Sequence, residues 1–398
     1  MGTTKNFFET YLKKETLFLD KSVLQSSYTP DTIPHREEQT KQVAEILAPA
    51  LKMELPSNLF IYGKTGTGKT LVIKHITSQL IEITRPQQVV LQALYTNCKL
   101  KRVADTEYRF IAELCRTMGK TVPPTGLPTD EVYKIFLRTI DDTKQIIILI
   151  LDEIDHLINK AGDEVLYNLL RLNAELSKCR ISIIGISNDV QFIDYIDPRI
   201  RSSLSEEEIV FPPYNALQIQ HILRDRAEKA FKKGSLNDGV VEKCAAYAAR
   251  EHGDARRALD LLRVAGELAE REGLPNVSVK HIDLAEDKIE RDRLVDIVTT
   301  QPQQFQAVLY SSINVCAERG DVSTGEVYDF YKKLCSHIGI RPLTQRRVSD
   351  VIAELDMLGI INARVISKGR YGRTKEISVS GTNQEKILVV LKEGLGLK

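Results

Sequence analysis

Read for its apolar positions alone, the chain changes rhythm twice. Between residues 58 and 210 short apolar runs alternate with helix-like stretches: "NLFIY" (58–62) precedes "LVIKHITSQLIEI" (71–83), and the unbroken "IIILIL" (146–151) leads into "DEIDHL". Apolar runs without polar interruption mark parallel strands covered on both faces, so this stretch predicts an open α/β sheet. Two more strands are expected at "RISIIGIS" (180–187) and "EEIV" (207–210), the second entering a Pro-Pro turn at 212–213. Beyond that turn the period is helical in "NALQIQHILRDRAEKAF" (215–231) and in "DARRALDLLRVAGELAERE" (254–272), where Asp254 is a natural N-cap.

The second change follows the polar "VTTQPQQ" (298–304). Three helices are predicted there, at 302–318, 323–339 and 343–359, then two strands, "IINARVI" and "TKEISVS", around the tip "SKGRYGR" (367–373). In the third helix Val348, Val351, Ile352, Leu355 and Leu358 share one face, Thr344 is a cap and Gly359 a stop, while Gln345, Arg346 and Arg347 crowd the first turn. A helix that presents polar side chains from its first turn, followed by a basic hairpin, is the pattern of a winged-helix DNA-binding module. Lys368, Arg370 and Arg373 at the hairpin tip suit phosphate or minor-groove contacts.

Composition narrows the class. At 398 residues two or three domains are expected, and 42% hydrophobic with 27% charged residues describes a globular protein. The longest aliphatic run, Ile146 to Leu151, is far short of the ~18 residues of a membrane span. The opening "MGTTKNFFETYLKKE" lacks the apolar stretch of a secretory signal, so a cytoplasmic location and no membrane partner are expected. Six cysteines, with no CxxC pair, suggest neither a zinc site nor a disulfide framework. The net charge is only +1, yet Arg341 to Lys375 carries eight basic residues against three acidic ones. Taken alone, that asymmetry fits either a solvated basic face or an anionic partner for the C-terminal module.

Candidate chemistry centres on "GKTGTGKT" (63–70), which fits G-x-x-x-x-G-K-[ST] between a predicted strand and a predicted helix. Small residues let backbone N–H groups close on phosphates, Lys69 reaches the β and γ oxygens, and Thr70 offers a hydroxyl to Mg²⁺. About 80 residues on, Asp152 is a second Mg²⁺ ligand, and Glu153 is a candidate base for an attacking water. His156 reads as packing or surface. Asn188, just past the next strand, either reaches a γ-phosphate or caps its loop. Tyr214, at the Pro-Pro junction, is placed to pack on a base. Arg256 and Arg257, opposing the macrodipole at a helix start, either invite a nearby anion or are ordinary surface arginines.

In this order, "GKTGTGKT", "LDEID", "ISND" and "GDARRALD", with "PHREEQ" (34–39), "YTNC", "PPTGLPTDEVY" and the winged-helix pattern, resemble the archaeal replication initiators of the combined origin-recognition and cell-division-control family. The resemblance covers essentially the whole chain. It implies an α/β AAA+ P-loop ATPase, a parallel-sheet base plus helical lid, with a C-terminal winged-helix domain. The expected boundaries are an N-terminal extension to 30, a base over 31–212 with inserted DNA-contacting helices near 99–130, a lid over 213–297 and the winged helix over 300–398. It further implies ATP/ADP and Mg²⁺ held by Thr65, Gly66, Thr67, Gly68, Lys69, Thr70 and Leu71, with Pro34 and Arg36 beside the adenine and Tyr214 and Arg226 lining the pocket. Asn188 becomes sensor 1 and Arg256 sensor 2. Arg201, or alternatively Arg199, is the finger offered to a neighbour, and Lys120 of the insertion joins Arg346, Arg347, Lys368, Arg370 and Arg373 on DNA. The implied activity is ATP-controlled binding of double-stranded origin DNA and recruitment of a replicative helicase by a nucleoid-associated protein, with further initiator copies on DNA and slow ATP hydrolysis as the switch. Two competing classes, a DNA-binding regulator with a vestigial ATPase and a clamp-loader-like or transposition-helper ATPase, are disfavoured by the intact Lys69, Asp152, Glu153 set and by the basic hairpin respectively.

Overall fold

The computed structural model describes residues 16–87, 89–99, 106–123, 126–189, 191–192, 196–204, 206–358, 360–367, 373–379 and 384–397. The chain divides into two compact units, one ending at Ile282 and the other beginning at Asp283. The helix Val279–Thr300 runs across that boundary.

The first unit is built on a parallel sheet of five strands, β1 (Leu59–Tyr62), β2 (Leu91–Asn97), β3 (Gln145–Asp152), β4 (Cys179–Ser187) and β5 (Glu207–Val210), in the order β2-β3-β4-β1-β5. Every residue of β3 is buried. Alternation explains this: Ile147, Leu149 and Leu151 enter one core with Phe60, Phe110 and Phe136, while Ile146, Ile148 and Ile150 enter the other with Val72, Ile73 and Ile76. Helices Glu37–Leu47 and Lys69–Thr84 cover the second face; Glu107–Thr117, Thr129–Ile140, Ile154–Ala161, Glu164–Arg171 and Pro198–Leu204 cover the first. The predicted strands and the helix after the glycine-rich loop are thus present; helix Glu107–Thr117 falls within the span 99–130, and Thr129–Ile140 begins at its end.

Register brings the sheet's chemistry to one edge. Tyr62 pairs with Ser187, and Asp152 lies between Asn97 and Ile186, so the residues following β1, β2, β3 and β4 emerge together at the strands' C-terminal ends. Ligands of open α/β sheets bind at that edge. Beyond β5 the chain forms helices Ala216–Ala230, Val240–Arg250 and Ala255–Glu272. Asn215 and Gln218 close a capping box on the first, and Asp254 caps the third by accepting from the Arg256 and Arg257 amides.

The second unit carries helices Gln303–Arg319, Thr324–Ile338 and Gln345–Met357 with three strands, β6 (Val322–Ser323), β7 (Asn362–Ser367) and β8 (Arg373–Ser378), in a sheet ordered β6-β8-β7. β7 and β8 are antiparallel, with Ser367 opposite Arg373. A capping box of Ser323 and Glu326 starts the second helix, and Gly339 ends it at φ 73°. Val348, Val351, Ile352 and Leu355 are buried as the helical period predicts. Leu358 departs from that expectation. The helix ends at Met357, and Leu358, at its C-cap, is 40% exposed. Gly359 and the hairpin tip, with Lys368 and Arg370, lie outside the described residues.

Candidate nucleotide site and nucleic-acid interface

A cleft of about 440 Å³ opens over the glycine-rich loop, between the sheet edge, the N-terminal segment 25–34 and the helices after β5. Gly66, Thr67, Gly68, Lys69, Thr70 and Leu71 line it; Thr65 sits exposed on the same loop. Gly66 and Gly68 adopt φ of 71° and 91°, a left-handed backbone that glycine takes without strain. Thr67 turns inward, its hydroxyl donating to the Lys64 carbonyl at 2.8 Å and holding the loop's curve.

Lys69 is 5% exposed, and its ammonium donates to the carbonyls of Gly63 (2.7 Å) and Lys64 (2.8 Å) and to Asn188 Oδ1 (2.9 Å). All three protons are therefore satisfied. Burial lowers its pKa to about 8, Arg256 adding to the effect and Asp152 opposing it. Asn188, assigned from its place after β4, is thus brought onto the loop's lysine across 119 residues of chain.

Thr70 Oγ1 donates to Asp152 Oδ2 at 2.9 Å, which pairs the two residues expected to hold a cation. Glu153 follows at φ 56°, a left-handed position that costs a non-glycine residue roughly 1 kcal/mol and aims its side chain out of the strand. Its Oε2 is buried without a hydrogen bond, although Lys99 Nζ lies 3.4 Å away and His156 Nε2 3.6 Å away. An orphaned carboxylate oxygen beside a hydroxyl–carboxylate pair has an unused acceptor for water.

The helix Ala255–Glu272 meets the loop end-on. Asp254 Oδ1 lies where a side chain on Gly66 would project, 1.7 Å from an ideal Cβ, and the Ala255 amide donates to the Gly66 carbonyl at 3.4 Å. Arg256, from the same turn, lines the cleft. Arg226, 8% exposed, lines the cleft with its guanidinium 4.5 Å from the centre of the Tyr28 ring, and Pro34 and Tyr214 line it too.

Arg36 is placed differently from a simple wall residue. It is 2% exposed behind the loop, donating from Nε to the Thr67 carbonyl (2.8 Å) and from Nη2 to the Pro212 carbonyl (2.5 Å), with the Tyr214 ring 3.8 Å away. It ties the phosphate loop to the exit of β5. Sequence reasoning missed Tyr28, Lys74, Tyr95 and Asn97, all on the cleft wall. The available signal was alternation, which puts Tyr95 and Asn97 on one face at the end of β2.

Of the expected DNA residues, Arg346, Arg347 and Lys120 are exposed. Arg346 and Arg347 occupy the first turn of Gln345–Met357, with Asp350 and Glu354 each 3.8 Å from Arg347. Arg373 begins β8, and Lys120 is exposed in the turn after Glu107–Thr117. Of the finger candidates, Arg201 is exposed in Pro198–Leu204, whereas Arg199 makes a two-point ion pair with Asp197 (3.1 and 2.8 Å) that holds the Asp197 carboxyl down to about 2.

The residues present fit a magnesium nucleotide: a buried cation on the loop, small-residue backbone around it, a paired hydroxyl and carboxylate, and an orphaned carboxylate oxygen beside them. Among the described residues no helix is long and apolar enough to cross a membrane. Fold and site together define a P-loop nucleotide-binding protein of the AAA+ class that carries a lid and a winged helix. Comparison with known families agrees: residues 53–191 match an AAA domain, 220–287 a Cdc6 AAA+ ATPase-type lid domain and 296–388 the CDC6 C-terminal winged helix domain. The chain is 53% identical over 383 residues to the ORC1-type DNA replication protein of Thermococcus onnurineus (95% of this chain, 91% of the relative). It is also 53% identical over 376 residues to ORC1-type DNA replication protein 1 of Methanosarcina mazei (94% and 90%). The solved structure of the Aeropyrum pernix ORC1 protein in complex with DNA is similar at 44% identity and a TM-score of 0.86, over 96% of this chain and 98% of that one. A structure of CDC6p from Pyrobaculum aerophilum, at 21% identity and a TM-score of 0.60, shares the fold over 96% and 99% of the two chains. The chain belongs to the ORC1-type DNA replication protein family.

Proposed function

We propose that this protein is an ATP-controlled replication initiator that binds double-stranded origin DNA and helps to recruit the replicative helicase, alongside other initiator copies on DNA. The observation that carries the reading is the joint between loop and lid: the capped start of Ala255–Glu272 rests on Gly66, so whatever occupies the loop bears on the lid's position. Differential contact with two arrangements is what a nucleotide switch requires.

Each residue then has a task. Lys69 would meet phosphate oxygens in place of the loop carbonyls, and Thr70 and Asp152 would hold Mg²⁺, which would supply positive charge to the phosphates. Glu153 orients and deprotonates the attacking water in a slow hydrolysis, and Asn188 positions the γ-phosphate end. Arg256 reaches the phosphates from the lid, and Arg201 serves a neighbouring copy's ATP. Pro34, Tyr214 and Arg226 enclose the base, while Arg36 fixes the loop from behind. On DNA, Arg346 and Arg347 read the major groove, and Lys120, Lys368, Arg370 and Arg373 meet the backbone or minor groove.

Footprinting on the chromosomal replication origin tests the reading. Wild-type protein should give a footprint that differs in extent or affinity between ATP and ADP, and Lys69→Ala should abolish the difference together with tight ATP binding. Identical footprints with ATP, with ADP and without nucleotide would refute control by ATP; no preference for the origin over random duplex would refute the initiator role.

A further inference from the structure

We infer that Tyr95 is a positioning residue for the cation-binding carboxylate of Asp152, an inference that rests on the nucleotide reading above. Tyr95 lies on β2, the edge strand, where its Cα partner is Ile150 of β3, two residues before Asp152. Strand alternation keeps 150 and 152 on the same face of the sheet, so the phenol spans one step along that face to reach the carboxylate. The Tyr95 hydroxyl donates to Asp152 Oδ2 at 2.7 Å. The same oxygen accepts from Thr70 Oγ1 at 2.9 Å.

One carboxylate oxygen is thus held by two hydroxyls from two separate elements, the helix that starts at the phosphate loop and the edge strand. Lys74, one turn beyond Thr70, places its ammonium 3.9 Å from the centre of the Tyr95 ring, which fixes the ring over that helix. Thr70, Lys74, Tyr95 and Asp152 all line the cleft. A carboxylate with one oxygen pinned in this way has little freedom to rotate, and its lone pairs arrive at a cation already aimed. Partners of this kind govern metal affinity through orientation while leaving the ligand set unchanged. Tyr95 also occupies no position that the loop's phosphate donors use, so its removal should be felt through the cation and not through the nucleotide alone.

Tyr95→Phe in the full chain tests this, since it removes a single oxygen and keeps the ring that Lys74 covers. ADP binding is titrated by calorimetry in excess EDTA and then across a MgCl₂ series. The expected result is ADP affinity in EDTA within about twofold of wild type, with a Mg²⁺ concentration for half of the affinity gain raised roughly 10-fold. A merely structural role would instead weaken binding equally in EDTA and in Mg²⁺, and that outcome overturns the inference. So does an unchanged Mg²⁺ midpoint. Wild-type protein that binds neither ADP nor ATP under either condition would remove the nucleotide reading itself, a failure recognisable before any variant is made.

Discussion

Gly66→Ala should break the joint between loop and lid, and Asp254→Gly should restore part of it. Gly66 sits at φ 71°, where a Cβ costs about 1 kcal/mol or slightly more. The larger effect is contact: an ideal Cβ would lie 1.7 Å from Asp254 Oδ1 and 2.3 Å from its Cγ, distances no relaxation of a few tenths of an ångström removes. Asp254 must therefore swing away and surrender its bonds to the Arg256 amide at 2.8 Å and the Arg257 amide at 3.4 Å. Losing an N-cap costs about 1 kcal/mol, so the seated lid should be penalised by roughly 2–3 kcal/mol in the single variant. If lid contacts contribute to nucleotide affinity, that amounts to a loss of order 30-fold or more. Glycine at an N-cap costs only a few tenths of a kcal/mol, so Asp254→Gly alone should be nearly silent. The double variant should keep the backbone strain and the 3.0 Å approach to the Cα of residue 254, a loss of about tenfold. Calorimetric ADP and ATP affinities of the four proteins complete the cycle. Additive penalties, with the double variant worse than Gly66→Ala, would refute the contact as the link between loop and lid.

Glu153→Gln should leave ATP affinity near wild type and depress hydrolysis by 10²-fold or more, since the amide keeps the shape but accepts no proton; parental turnover would remove Glu153 from its role. ATP affinity should also fall with rising pH. The Lys69 pKa, about 8 without ligand, is raised by bound phosphate, so affinity is complete below pH 8 and lost as pH climbs through it, by about tenfold between pH 7 and 9. On DNA, replacing Arg370 and Arg373 with alanine should make the slope of log K against log [salt] shallower by up to ~2 while ATP affinity stays unchanged. In contrast, Arg346→Ala should cost about 1–3 kcal/mol on the preferred site and less on random duplex, read by fluorescence anisotropy.

Much of the site was legible because its parts are contiguous. The loop 63–70, the Asp152–Glu153 pair at a strand end and the cap at Asp254 each depend on neighbours within a few residues, and hydrophobic period located the strands and helices that present them. The buried isoleucines of β3 show the same thing, since an unbroken aliphatic run has no exposed face to offer and must lie between two layers.

What tertiary structure alone decided were the contacts made across long stretches of chain. Tyr95 reaches Asp152 over 57 residues, and Lys69 reaches Asn188 over 119, because the strand order sets β2 beside β3 and β4 beside β1. Nothing in the residues near Arg36 foretold that it would turn inward to the Thr67 and Pro212 carbonyls, or that Asp254 would stand against Gly66. Local sequence fixes which backbone forms and which side chains alternate to a face. Which of those faces meet depends on sheet order and on where the chain crosses over, a matter of packing the whole unit that no short window of sequence contains.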